Sequence, residues 1–279
     1  IDMPKDVQMK DTNVKIPNKV EIPSFKPTLH PNPMQLKHAV ELILKAERPL
    51  ILAGGGIIIS DASKEFLKFA ETALVPVATT MMAKGAFPDD HPLALRVTGM
   101  HGTEMANYAI INCDVLITIG CRFSDRITGN TKEFQEGKKI IHMDIDPAEI
   151  GKNVKVEVPI VGDAKIILSK ITKLLVAEGS KLKNRNSEWR KKIKELKESC
   201  DAAEIKDIKK DGLTAKFVCH EMSKFIKDND IVVTGVGQHQ MFAEHYLERK
   251  LPRTFITSGG AGTMGFGFPA SIGAKVACP

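Results

Sequence analysis

Aromatic rings are scarce in this 279-residue chain, with one tryptophan, two tyrosines and twelve phenylalanines. The formal net charge of +6 invites a nucleic-acid partner, but single strands are held on stacking platforms interleaved with basic residues, and none is present. Much of the basic charge lies between Lys181 and Lys210, where acidic residues alternate with it, as in Trp189-Arg-Lys-Lys-Ile-Lys-Glu-Leu-Lys-Glu. That pattern reads as a solvated helix face with local ion pairs. No apolar run approaches the ~20 residues of a membrane span, and no signal peptide is legible. The five cysteines (Cys113, Cys121, Cys200, Cys219, Cys278) are odd in number, widely spaced and without a C-x-x-C pair. A disulfide framework or zinc site is thereby disfavoured, and reduced thiols in a cytoplasmic protein are expected. The missing start methionine and the abrupt end at Cys278-Pro279 read as a fragment.

What remains is an ordinary globular composition, 43% hydrophobic with a mean hydropathy of −0.11, and enough chain for roughly two domains with a core each. Residues 11–33 carry Pro17, Pro23, Pro27, Pro31 and Pro33 and read as an extended linker. Gln35 to Ala46 then has apolar residues at helical spacing. Apolar strands are expected at Pro49–Gly54, Leu74–Thr79, Asp114–Gly120, Lys139–Asp144 and Val156–Val161, alternating with helices at Ala62–Thr72, Thr103–Asn112 and Asp163–Ala177. Continuously apolar strands separated by helices imply a parallel sheet covered on both faces, a Rossmann-like α/β sandwich of six or so strands. A charged helix at about Asn186–Cys200 leads to a helix at Thr214–Phe225 and to a second, unfinished α/β sheet beginning at Ile231–Thr234.

Two glycine runs mark that second sheet. The strand at Ile231–Thr234 breaks at Gly235 and Gly237 before a helix, and free amides at such a helix start make a phosphate site. An extended stretch, Thr254–Thr257, enters Ser258-Gly-Gly-Ala-Gly-Thr-Met-Gly-Phe-Gly-Phe-Pro-Ala270 and then a small-residue helix. A flexible linker would be polar, whereas Met264, Phe266 and Phe268 are large and apolar. In doubly wound sheets ligands bind at the carboxyl ends of strands. Those ends carry Gly54-Gly-Gly56, Thr79-Thr-Met-Met82, Gly99-Met-His-Gly-Thr103, Gly120-Cys-Arg-Phe-Ser-Asp-Arg126, the Asp144/Asp146 pair and Gly162-Asp163. Amides from Gly102 onward are placed to meet an anion, and Arg122 offers a planar bidentate contact. Asp163 is expected to cap a helix, contact a nucleotide, or both. Together they read as one adenine-dinucleotide site, without a choice between FAD and NAD.

Gly235-Val-Gly-Gln-His-Gln-Met-Phe242, followed by Pro252-Arg-Thr-Phe through Ala270, resembles the thiamine-diphosphate domain of acetolactate synthase (acetohydroxyacid synthase) large catalytic subunits. Gly99–Thr103, Gly120–Arg126 and His142-Met-Asp-Ile-Asp-Pro147 resemble the flavin-contacting segments of that family's central domain. Ile1–Gln8 resembles the last strand of its amino-terminal pyrimidine-binding domain. The resemblance implies a pyrimidine-domain tail at 1–12, a linker at 13–34, a central FAD domain at 35–180, a connecting helical segment at 181–212 and the start of a thiamine-diphosphate domain at 213–279.

For FAD it implies backbone contacts at Gly54, Gly55 and Gly56, with Thr80 and Met81 beside the isoalloxazine ring. Met100, His101 and Gly102 would line the flavin, and Gly120, Arg122, Asp144, Ile145, Asp146, Gly162 and Asp163 would complete the site. For thiamine diphosphate it implies Val236, Gly237, Gln238 and His239 on the phosphate loop, Gly262 near the rings, and Met264 as the wedge that bends the cofactor. Lys5, Asp125 and Arg126 would lie by the substrate channel, with an exposed Lys5–Asp125 ion pair as the plainer alternative. The catalytic glutamate is expected before Ile1 and the Mg2+ ligands after Pro279, so these residues alone are expected to be inactive, without a catalytic or metal-binding residue.

The implied reaction is decarboxylation of pyruvate and condensation with a second 2-oxo acid, giving acetolactate or acetohydroxybutyrate for branched-chain amino acids. Implied partners are a second copy completing the active site at a subunit interface and a small regulatory subunit. Ser124, Cys121 and Phe242 depart mildly from the family pattern. Alternatives are another thiamine-dependent enzyme (pyruvate oxidase, glyoxylate carboligase) or a non-catalytic dinucleotide-binding module. Two clefts are expected, one at the strand tips of each sheet.

Overall fold

The computed structural model describes residues 4–13, 15, 17–18, 26–182, 186–210 and 212–279. The chain opens with a short helix α1 (Lys5–Gln8) and continues through α2 (Pro33–Lys45), β1 (Pro49–Ala53), α3 (Gly56–Ile59), α4 (Ser63–Ala73), β2 (Val77–Thr79) and β3 (Ala94–Val97). Next come α5 (Glu104–Asn112), β4 (Val115–Ile119), α6 (Asp125–Thr128), α7 (Thr131–Gln135), β5 (Lys139–Asp144), β6 (Val158–Val161) and α8 (Ala164–Ala177). After α9 (Gly179–Leu182) and the long α10 (Ser187–Lys210), a second unit holds α11 (Ala215–Phe225), β7 (Val232–Val233), α12 (Gln238–Tyr246), β8 (Phe255–Ile256) and α13 (Gly267–Ala277).

The first six strands form one parallel sheet in the order β3-β2-β1-β4-β5-β6. Its two central strands, Pro-Leu-Ile-Leu-Ala and Val-Leu-Ile-Thr-Ile, are buried along their whole length, as a sheet covered on both faces requires. The pleat divides β1 between two cores: Ile51 and Ala53 join α2, α4 and α8, while Leu50 and Leu52 join α5 and α10. Order reverses between β1 and β4, so the open crevice lies beyond their carboxyl ends.

The sixth strand, β3, is absent from the sequence reading. Its Ala-Leu-Arg-Val has no sustained β-branched run, and Arg96 sits at φ +64°. The structure holds that left-handed arginine with carboxylates of α10, at 2.6 Å to Asp201 and 2.7 Å to Glu204. α10 also differs from expectation. It runs to Lys210, and it docks on the sheet through buried Trp189 and Ile193, with the indole N–H donating to Pro49 O at 3.0 Å. Its far face carries the anticipated Lys191–Glu195 and Lys194–Glu198 pairs, exposed and near 3.9 Å.

Of the amino-terminal strand expected at residues 1–8, residues 1–3 lie outside those described, and the described part is not a strand. Lys5–Gln8 form one exposed helical turn after Pro4, closed by Gln8 N to Pro4 O (3.1 Å) and Met9 N to Lys5 O (3.1 Å). An isolated strand leaves its backbone unpaired, and a local turn satisfies these groups without a neighbour. The linker expectation falls partly on residues outside those described (14, 16 and 19–25). Pro33 belongs to α2 rather than the linker: it occupies the first turn, with Asn32 capping Met34 N at 2.8 Å.

In the second unit β7 and β8 pair in parallel, Val232 with Phe255 and Val233 with Ile256, over a small core of Ala243, Leu247 and Phe255. The closing helix begins at Gly267, before the expected Ala270. A Cβ at Gly267 would lie 2.7 Å from Gly235 N, so α13 starts flush against the end of β7 only because this residue is glycine. A buried node joins the units: Lys84 Nζ pairs with Asp89 Oδ2 at 2.9 Å, and the same oxygen accepts Arg249 N at 2.8 Å.

Candidate functional site

The carboxyl ends of β1, β2, β4, β5 and β6 open into one cavity of about 1620 Å³, whose opposite wall is made by Val236, Gly237 and the Thr257–Gly262 run. The two expected clefts are a single continuous space. Ligand pockets commonly enclose about 300–1,000 Å³, so this volume has room for more than one cofactor-sized group.

Most residues singled out in the sequence border it. Gly54, Gly55, Gly56, Thr80, Met81, Met100, His101, Gly120, Arg122, Asp125, Arg126, Asp144, Ile145, Gly162 and Asp163 do so from the first unit, and Val236, Gly237 and Gly262 from the second. Lys5, Gly102, Asp146, Gln238, His239 and Met264 are not part of its wall. Lys5 lies on the exposed α1 turn, and among the described residues no ion pair joins it to Asp125.

Local chemistry explains this placement. The β1 exit crosses the β4 exit so closely that a Cβ at Gly54 would stand 2.0 Å from Gly120 O, and one at Gly120 (φ +58°) would stand 2.6 Å from Gly56 Cα. Only glycine permits both strand tips to share the floor. Arg122 projects between buried Cys121 and Phe123, and Asn153 Nδ2 ties down the carbonyls of Arg122 (3.0 Å) and Phe123 (3.1 Å). The Gly99–Gly102 loop is fixed by Asn107, whose Oδ1 accepts Gly99 N at 2.9 Å, and by Met100 N donating to Arg126 O at 2.9 Å.

Three of the amides expected to meet an anion there are already used. Gly102 N donates to Gly99 O (2.9 Å), Thr103 N to Val97 O (2.8 Å), and Ala106 N to Thr103 Oγ1 (3.2 Å). A helix start capped by its own threonine has little left for a ligand. Asp163 does cap α8, accepting Ile166 N at 3.1 Å, and also takes Ser60 Oγ at 2.6 Å. Asp146 turns away to accept Ala148 N at 2.9 Å, leaving Asp144 at the rim.

On the second unit Gly237 is the N-cap of α12 at φ 145°, and no side chain caps the helix. The imidazole of His239 folds back over this turn, so that a Cβ at Gly235 would lie 3.0 Å from His239 Nε2. Met264 is 82% exposed. Sequence reasoning missed Arg253, Gln240 and Glu244, all on the cavity wall. Arg253 Nη2 reaches across to Ile58 O at 2.9 Å. The one available signal was the i, i+4 spacing of Gln240 and Glu244 on a predicted helix.

The cavity mixes charge, with Arg122, Arg126 and Arg253 against Asp125, Asp144, Asp163 and Glu244. Burial pushes the Glu244 carboxyl up to about 7, with Lys84 opposing. Behind the floor, burial lowers His142, whose Nε2 contacts Cys121 O at 3.0 Å. At the inter-unit seam burial works to raise Glu204, but the hydrogen bond from His245 and the charge of Arg96 outweigh it and hold the carboxyl at about 2. Among the described residues no group of three or more His, Cys, Asp or Glu is arranged to hold a metal ion, and no helix is long and apolar enough to cross a membrane.

Comparison with known proteins follows this geometry. Residues 36–171 match the family model described as thiamine pyrophosphate enzyme, central domain, and residues 235–279 match thiamine pyrophosphate enzyme, C-terminal TPP binding domain. Over its full length the chain is 52% identical to the "Probable acetolactate synthase large subunit" of Methanocaldococcus jannaschii, covering 48% of that protein. It is 48% identical to the like-named protein of Methanococcus aeolicus, covering 49% of it. With the "Acetolactate synthase large subunit" of Corynebacterium glutamicum the identity is 43%, over 44% of that protein. The chain thus spans about half the length of the curated relatives it matches. Two family models in order along one chain, and relatives aligned over all of it, show that it belongs to the thiamine pyrophosphate enzyme family, in the acetolactate synthase large-subunit branch.

Proposed function

We propose that the protein carrying this chain is an acetolactate synthase, joining pyruvate after decarboxylation to a second 2-oxo acid in branched-chain amino acid synthesis. The observation that carries this reading is the single cavity: strand tips of a dinucleotide-type sheet face a second wall built from both glycine runs. A lone dinucleotide-binding module has no use for the second wall.

The residues suit the two organic cofactors. Thiamine diphosphate, when bound, supplies the carbon nucleophile and the electron sink for decarboxylation. The chain's share is to hold it. The start of the nine-residue α12, left without a side-chain cap, offers amides and a positive dipole end to the phosphates. His239 must swing off the Gly235–Gly237 turn for phosphate to approach. Val236 and Gly262, 4.0 Å apart once a Cβ is placed on the glycine, shape the adjoining wall.

For FAD, the glycine-only crossing at Gly54 and Gly120 brings backbone to the cavity surface, Arg122 meets phosphate, and Asp144 meets ribose. Met81 and Met100 flank the ring system, and the flavin is a structural element there. Arg126, at the rim beside Asp125, holds the carboxylate of the acceptor acid. The activating glutamate and the Mg2+ ligands are assigned to segments other than residues 1–279. A second copy of the chain completes the site at a subunit interface, and a small regulatory subunit is a further partner. The five free thiols favour a cytoplasmic setting.

The test is product analysis of the full-length protein with pyruvate, thiamine diphosphate, Mg2+ and FAD. Acetolactate is the expected product. Acetyl phosphate from pyruvate, or tartronate semialdehyde from glyoxylate, in its place would refute the assignment.

A further inference from the structure

Gln240 and Glu244 stand one turn apart on α12 and share its cavity-facing side. Gln240 donates to Thr257 Oγ1 at 2.7 Å, which in turn bonds Thr234 Oγ1 at 2.6 Å. Glu244 differs. It is 3% exposed, and among the described residues no hydrogen bond or ion pair holds its carboxyl. Lys84, the opposite charge that acts on Glu244, is committed to Asp89 at 2.9 Å, and Asp89 to Arg249 N. Met81, Met82, Met241 and Phe255 line the same cavity. A buried carboxyl without a partner is costly unless it is neutral and meets a ligand.

We propose that Glu244 is a ligand-positioning residue that gives one hydrogen bond to, and takes one from, the polar edge of a planar heteroaromatic ring lodged between the methionines and β8, the imide edge of the flavin (C=O beside N–H) being the complementary group. This rests on the flavin reading above. A neutral carboxyl presents one O–H donor and one carbonyl acceptor side by side, the mirror of an adjacent C=O and N–H. Burial keeps the neutral form present near pH 7. Met81, Met82 and Phe255 of the same cavity wall supply flat apolar contact, and Glu244 supplies hydrogen bonds that orient the ring.

The experiment titrates FAD into the full-length apoprotein, following flavin fluorescence and the visible absorption bands, for the wild type, Glu244→Gln and Glu244→Leu. Glutamine keeps a donor and an acceptor and binds within about threefold of wild type. Leucine loses both hydrogen bonds and weakens FAD about tenfold or more, with absorption bands returning toward those of free flavin. A second probe leaves the protein untouched. FAD methylated at the imide nitrogen lacks the donor and binds the wild type about tenfold or more weakly. If folded Glu244→Leu or the methylated analogue binds like the parent pair, the inference falls and the flavin reading stands. If the wild type takes up no FAD, both fall.

Discussion

The buried Lys84–Asp89 pair offers the sharpest test of how the two units are joined. Its side chains are 1% and 2% exposed, the charges are 2.9 Å apart, and Asp89 Oδ2 also accepts Arg249 N at 2.8 Å from the second unit. Breaking such a pair from one side leaves a charge in a dry environment, which costs about 3–5 kcal/mol. Lys84→Met therefore strands the Asp89 carboxylate, and Asp89→Asn strands the Lys84 ammonium while an amide oxygen still serves Arg249. The double variant Lys84→Met with Asp89→Asn has no stranded charge and keeps that acceptor, so its cost falls to about 1–2 kcal/mol. The coupling between the two positions is then about 4 kcal/mol or more, far outside the additivity of independent sites. Urea unfolding measures it, with Trp189, the single tryptophan, reporting the first unit and far-UV circular dichroism reporting both. Single substitutions costing under about 1 kcal/mol, or a double variant equal to the sum, would refute the reasoning.

Three further outcomes follow from burial and close approach. Glu244 has a folded value of about 7 against an ordinary 4.5, so the unfolded chain releases its proton first. Wild-type stability must therefore fall as pH rises from about 4.5 to about 7, and Glu244→Gln should remove that slope and gain about 3 kcal/mol at pH 8 in urea titrations. Glu204 has the opposite sign. Held at about 2 against an ordinary 4.5, it contributes stability above about pH 4.5 that is lost as pH falls toward 2, and Glu204→Gln should flatten this acid limb of the thermal midpoint. Gly120→Ala forces a Cβ to 2.6 Å from Gly56 Cα at φ +58°. It should cost more than about 2 kcal/mol and abolish flavin uptake, while Gly129→Ala, at φ +54° and ψ −122° with open space around it, should cost only the backbone strain of about 1–3 kcal/mol and leave flavin uptake intact.

Local signals were strong where one residue type has one physical use. Asp163 and Thr214 were legible as helix caps, and each does accept a first-turn amide. The runs at β1 and β4 were legible as strands because nothing but a doubly covered sheet accommodates five consecutive buried residues. β3 was hidden, since Arg96 takes a left-handed backbone that α10 stabilises from more than a hundred residues away. Lys5–Gln8 depart from the expected strand for a related reason: four residues adopt an extended form only when a neighbour is there to pair with.

By itself the sequence determined the alternation of strand and helix, the turns only glycine can make, and the motifs that place the chain in its family. Backbone propensity and steric exclusion act within a few residues, so they are written locally. Tertiary structure alone decided that the glycine runs of two sheets would face one another across a single cavity, that Arg253 would reach Ile58, and that Glu244 would be buried on the cavity wall. Those features depend on which surfaces meet, and burial and charge pairing are properties of that meeting rather than of any short stretch of chain.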